Sequence, residues 1–81
     1  MEEQHFRQKA QRQLIDRAVV KRVKVKFRGK FVIRYEVVFK DNGKDYPLCL
    51  QRGQGVRLFA TLDAAANTIN RIGVKKILVL L

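Results

Sequence analysis

From Val19 to Phe27 the chain alternates. Val19, Val23, Val25 and Phe27 share one parity, while Arg22, Lys24 and Lys26, continued by Arg28, share the other. A period of two marks a strand with two unlike faces. The stretch Phe31–Lys40 repeats the pattern, with Phe31, Ile33, Tyr35, Val37 and Phe39 as its apolar set. These two strands join around Arg28-Gly29-Lys30. Both apolar sets carry odd numbers, so they share a face only if the loop holds three residues or a bulge shifts the register. In that register Lys24 lies opposite Arg34, a repulsive pair, and Arg22 opposite Glu36, an attractive one.

The next turn, Asp41-Asn42-Gly43-Lys44, carries Asn-Gly, which tolerates the positive φ of a two-residue type I′ hairpin loop. Its register pairs Phe39 with Tyr46, Val37 with Leu48 and Tyr35 with Leu50, placing all six side chains on one face. Pro47 has no N–H to give a ladder, which argues for an edge strand there. Arg52-Gly53-Gln54-Gly55 reads as a loop and Val56–Phe59 as a short strand. Thr61 is placed as an N-cap, with Asp63 in the first turn of a helix over 62–72. Leu62, Ala65, Ala66, Ile69 and Ile72 form its inner stripe, Gly73 ends it, and Val74 makes the accompanying apolar contact. Lys75–Leu81 is a final strand.

Ahead of the sheet, residues 2–17 read as a helix opened by glutamates and uninterrupted by Gly or Pro. Its apolar stripe of Phe6, Ala10 and Leu14, extended by Ile15 or Ala18, is thin. Such a helix docks on the core, pairs with a partner chain, or orders on binding. The expected fold is α+β in the order α-β-β-β-β-α-β. It has an antiparallel sheet of three to five strands, one face covered by helix. Residues 1–81 are read as one domain, with 2–17 a helix and 18–81 the sheet-plus-helix core.

Charge changes the picture most. The net charge is +11 over 81 residues, and seven Lys or Arg with no Asp or Glu lie between Ala18 and Arg34. Charge spread for solubility mixes its signs; this segment has one. In the three-residue register, Arg22, Lys24, Lys26, Arg34 and Lys40 share the solvent face, with Glu36 and Gln51 among them. Arg28 and Lys30 sit at the hairpin tip. Same-face strand residues repeat at about 6.5–7 Å, the scale of successive phosphates, and guanidinium groups bind phosphate bidentately. All the aromatics of the hairpins fall on the core face in this register, leaving none to stack on splayed bases. That favours phosphate contacts to a duplex, DNA before RNA, over recognition of single strands.

Other chemistry has little to build on. The single Cys49 excludes an internal disulfide and a multi-cysteine zinc site, and points to a reducing, cytoplasmic compartment. The polar opening Met-Glu-Glu-Gln-His has no apolar segment of a secretion signal, and Ile77–Leu81 is too short to span a bilayer. His5 stands alone, Gly53-Gln-Gly55 lacks the Lys-Ser/Thr of a phosphate loop, and the carboxylates are scattered. The reading is therefore non-enzymatic, with no cofactor, no metal, no membrane partner and no small-molecule substrate.

Arg57-Leu-Phe-Ala-Thr-Leu-Asp-Ala-Ala-Ala is a short strand entering a capped, alanine-rich helix. This junction resembles that of plant AP2-type and integrase-type domains, whose three-stranded sheets lie in a DNA major groove. The α-β-β-β-α order is similar to double-stranded RNA-binding domains, but Leu62-Asp63-Ala64 stands where their second helix begins with basic residues. The chain as a whole resembles small accessory proteins of plasmids and conjugative elements. These resemblances imply nucleic-acid binding, which the charge pattern assigns to Arg22, Lys24, Lys26, Arg28, Lys30, Arg34 and Lys40. A second reading is an assembly module. Ile77–Leu81 is apolar on both faces, and Leu78 and Leu80 need a cover, supplied by the first helix or by a second copy in a homodimer.

Overall fold

The computed structural model describes residues 3–11, 15–49 and 55–81. Its elements run α1 (Glu3–Gln11), β1 (Arg17–Phe27), β2 (Lys30–Asp41), β3 (Lys44–Pro47), β4 (Leu58–Phe59), α2 (Leu62–Ile72) and β5 (Ile77–Leu80). This is the expected α+β order. The strands form one open sheet, β3-β2-β1-β5, with β4 pairing β2 in line with β3. All pairings are antiparallel except β5, which runs parallel to β1 with Ala18 beside Ile77 and Lys21 beside Leu80. The expected strand at Lys75 begins two residues later. The expected helix over 2–17 is shorter: residues 15 and 16 are already irregular and Arg17 opens β1. Asp16 is tied to the hairpin instead, its N–H donating to the Lys40 carbonyl at 2.9 Å and its carboxylate accepting from the Asn42 N–H at 3.3 Å.

Both hairpins turn in the same way. Asn42 and Gly43 have φ of 52° and 82°, and Arg28 and Gly29 have φ of 51° and 79°. Positive φ at both central residues is the requirement of the type I′ turn, whose twist matches that of the strands. The Asn-Gly hairpin keeps its expected register, with Phe39 beside Tyr46 and the Leu48 N–H donating to the Val37 carbonyl at 2.8 Å. Leu50 lies outside the described residues, and Phe59 of β4 is the partner observed for Tyr35.

The first hairpin departs from expectation. Its loop holds two residues, so Phe27 pairs with Lys30, Lys24 with Ile33, Arg22 with Tyr35 and Lys21 with Glu36. The expected Lys24–Arg34 and Arg22–Glu36 pairs do not form. A slip of one residue exchanges the faces of one strand relative to the other. Ala18, Val20, Arg22, Lys24 and Lys26 therefore share a face with Phe39, Val37, Tyr35, Ile33 and Phe31. The opposite face carries Val19, Lys21, Val23, Val25 and Phe27 beside Val38, Glu36, Arg34, Val32 and Lys30.

The core sits on the first of these faces, at the base of the hairpin. Ala18, Val20, Val37, Phe39, Leu48 and Phe59 pack with Phe6, Ala65, Ile69, Ile72 and Val74. The helix α1 docks there through Phe6, fully buried with its ring 4.2 Å from that of Phe39. Of the three roles open to the first helix, docking is the one adopted. Helix α2 has its expected bounds and caps. The Thr61 hydroxyl accepts from the Ala64 N–H at 3.1 Å, and Gly73, at φ 108°, donates to the Ile69 and Asn70 carbonyls. Of the expected inner stripe, Ala65, Ile69 and Ile72 are buried and Leu62 packs against the core, while Ala66 is only partly buried. Thr68 joins them, buried with its hydroxyl donating to the Ala64 carbonyl at 3.0 Å.

Candidate nucleic-acid interface

Beyond Lys21 and Tyr35, neither strand of the first hairpin has another described strand beside it. Residues 22–34 thus form a two-stranded arm, about 20 Å long at the rise of a strand. It stretches the molecule to 43 × 27 × 22 Å. An isolated hairpin is marginal in water. This one is anchored because its strands continue into the core, where Val20 and Val37 are fully buried.

The arm is cationic on both faces, not on one. Arg22, Lys24 and Lys26 line the face that continues the helix-covered side and are exposed. Arg34 and Lys30 lie on the other face. The Arg34 guanidinium is partly buried and donates to the Ile33 carbonyl at 2.8 Å. Arg28 occupies the apex, exposed. The single solvent face expected for Arg22, Lys24, Lys26, Arg34 and Lys40 is thereby split. The cause is the two-residue turn. Lys40 stands apart from the arm, at the far end of β2, and bonds Asp45 at 2.6 Å. That ammonium holds the Asp45 carboxyl below its ordinary value. Gln51 lies outside the described residues.

Counter-charge is concentrated elsewhere. On the body, Glu3 meets three guanidinium groups: Arg71 at 2.7 Å, Arg7 at 3.5 Å and Arg57 at 3.7 Å. This knot ties α1 to α2 and to the residue before β4. No carboxylate occurs from Arg17 to Tyr35, and among the described residues no ion pair joins an arm cation to one. Glu36, opposite Lys21, marks the base of the arm.

Aromatic side chains also stand on the basic faces, contrary to the expectation that all would be internal. Phe31 is 65% exposed and Phe27 57%. The Lys24 ammonium lies 5.3 Å from the centre of the Phe31 ring, and the Arg28 guanidinium 5.3 Å from that of Phe27. Both phenylalanines belong by parity to apolar sets, and parity led to their assignment to the core. Arg28-Gly29 read as a two-residue turn would have revealed them.

Cys49 is half-buried in an isolated bridge with Val56, its thiol 3.5 Å from the Pro47 carbonyl. The His5 side chain is outside the description. Among the described residues no three of His, Cys, Asp and Glu are grouped to hold a metal ion, and no helix is long and apolar enough to cross a membrane. Comparison with protein families, curated proteins and solved structures finds no match to this chain.

Proposed function

We propose that this protein binds duplex DNA, without catalysis, by setting the arm of residues 22–34 into a groove. One observation carries this reading: an arm with cations on both faces and no carboxylate projects from a body that holds its own ion pairs. A groove is walled by two phosphate rails, and a ribbon with cations on each face meets both. With side chains the ribbon is about 10 Å thick, and the B-form major groove is about 12 Å wide and admits it. The deep, narrow major groove of duplex RNA does not, which favours DNA. The lone Cys49 suits a reducing cytoplasm, where such a ligand is met.

Arg22, Lys24, Lys26, Arg28, Lys30 and Arg34 are the phosphate contacts in this reading; Lys40, engaged by Asp45, is peripheral to them. Five or six contacts give a slope of about −4.5 to −5.4 for log affinity against log salt. Fluorescence anisotropy on duplex DNA, duplex RNA and single strands at several salt concentrations measures it. The K24E/K26E variant should lose binding and stay folded, its melting temperature lowered by no more than about 2–4 °C for the lost exposed contact of Lys24 with the Phe31 ring. Undiminished affinity in that folded variant defeats the proposal.

A compatible second reading is a homodimer through β5. Among the described residues this strand is the open edge of the sheet, and α1 lies on the other face from Leu78 and Leu80, so it does not cover them. Leu78, Leu80 and Leu81 are exposed at 47%, 48% and 82%. Nothing charged interrupts residues 77–81, the arrangement that invites edge pairing. Equilibrium sedimentation should show dimers that L78K/L80K abolishes; a monomer at high concentration removes this reading.

A further inference from the structure

The tip of the arm has features that phosphate binding does not require. Phe27 and Phe31 lie on opposite faces of the ribbon, each exposed by more than half. Each sits opposite a lysine, Phe27 beside Lys30 and Phe31 beside Lys26. Between them Arg28 is held at φ 51°. A non-glycine residue there is strained unless it is Asn or Asp. The second hairpin makes the same turn with Asn42 at φ 52°. The second turn meets this φ with Asn42, which tolerates it, whereas the arm tip meets it with Arg28 and carries the strain on an exposed guanidinium. A strained residue held in place is a pointer to use.

We propose that Phe27 and Phe31 are a wedge for the base stack: an arm entering a groove end-on brings them to the base pairs, where they open a step and stack on its bases. The inference rests on the reading of the arm as a DNA-binding element. Cations along the shaft contact phosphate and position the tip; the tip contacts bases, a division general in such complexes. Apolar side chains near Arg and Lys are known to open duplex steps from the minor groove; the arm would do so from the major groove, where aromatic rings stack on any base. An anionic membrane also takes up phenylalanine next to lysine. Here, however, the apex is Arg28, so a tip driven into lipid would carry a guanidinium deepest. Cations also continue along both faces of the shaft, which suits a groove and not a plane.

The ligand that follows is a duplex with a weakened or already opened step. A single-nucleotide bulge spares the unstacking cost, so wild-type protein should bind a bulged duplex about tenfold or more tighter than the perfect duplex of the same sequence. F27A/F31A should bind both equally, with an unchanged salt slope and an unchanged fold by circular dichroism. F27Y/F31Y, which keeps the rings, should retain the preference. Equal wild-type affinities overturn the wedge, as does a preference that survives in F27A/F31A. Absence of binding to either duplex at low salt overturns the DNA reading itself. Phenylalanine-dependent binding to phosphatidylserine–phosphatidylcholine vesicles with no bulge preference overturns the wedge in favour of a membrane surface.

Discussion

Replacing Arg28 by Asn separates what the turn costs from what the arm does. Arg28 holds φ 51° ahead of Gly29 at φ 79°, and Asn42 holds φ 52° ahead of Gly43 at φ 82°. An ordinary L-residue gives up about 1–2 kcal/mol in the left-handed region, whereas Asn is relieved of much of it by its short polar side chain. Taking the relief as about 1 kcal/mol and subtracting about 0.5 kcal/mol for the exposed cation–π contact with Phe27 leaves a net gain of about 0.5 kcal/mol. For a domain of this size that raises the melting temperature by about 2–4 °C. In an F27A background no ring contact is lost, so the same substitution should give about 4–8 °C. Meanwhile one phosphate contact disappears, and the salt slope of DNA binding should shrink by about 0.9. Thermal melts of the four proteins in the double-mutant cycle, with anisotropy titrations at three salt concentrations, measure both effects. A lower melting temperature for R28N in both backgrounds would refute the strain argument. A stabilised R28N with the full wild-type slope would remove Arg28 from the phosphate contacts.

Two further outcomes test the body of the fold. Phe6, fully buried against Phe39, makes α1 part of the core, so F6A should cost about 3–5 kcal/mol in urea denaturation; a cost under about 1 kcal/mol would mean a lightly docked helix. Asp45 should titrate below its ordinary value of 3.8 because Lys40 donates a hydrogen bond to its carboxylate. A depressed folded value means that this contact supports the fold above that ordinary value and is lost as pH falls through the folded one. NMR titration should show K40M raising Asp45 toward the ordinary value; an unchanged titration would deny the contact.

The parts of the fold legible in the sequence are those whose signals are local. Asn42-Gly43 names its own turn, and Thr61 and Gly73 bracket α2 by hydrogen bonds within a few residues. The Asn-Gly register agreed with the apolar pattern on both sides of it, so one error could not hide behind the other. In the first hairpin the two signals conflict. Ala18, Val19 and Val20 are all apolar and all buried, so either parity of β1 supplies a core face. The register then hangs on the loop, and arginine does not announce positive φ. A shift of one residue moved the basic row to the helix side and put aromatic rings beside it. The parallel pairing of β5 had no signal either, since an apolar run carries no direction.

The arm itself, however, follows from lengths that the sequence does contain. Helix α2 has 11 residues, about 16 Å at 1.5 Å per residue. Strand β2 has 12 residues, about 40 Å at the rise of a strand. One short helix beside another cannot cover so long a hairpin end to end, whatever its register. Some 20 Å of ribbon must therefore protrude with both faces in water, and apolar residues there are exposed however regular their alternation. The phenylalanines nearest the turn, Phe27 and Phe31, are the ones most surely left outside, and their neighbours Lys26, Arg28 and Lys30 keep the tip soluble. The core needs no aromatic residue there, so F27A/F31A tests the proposed wedge without removing a core side chain.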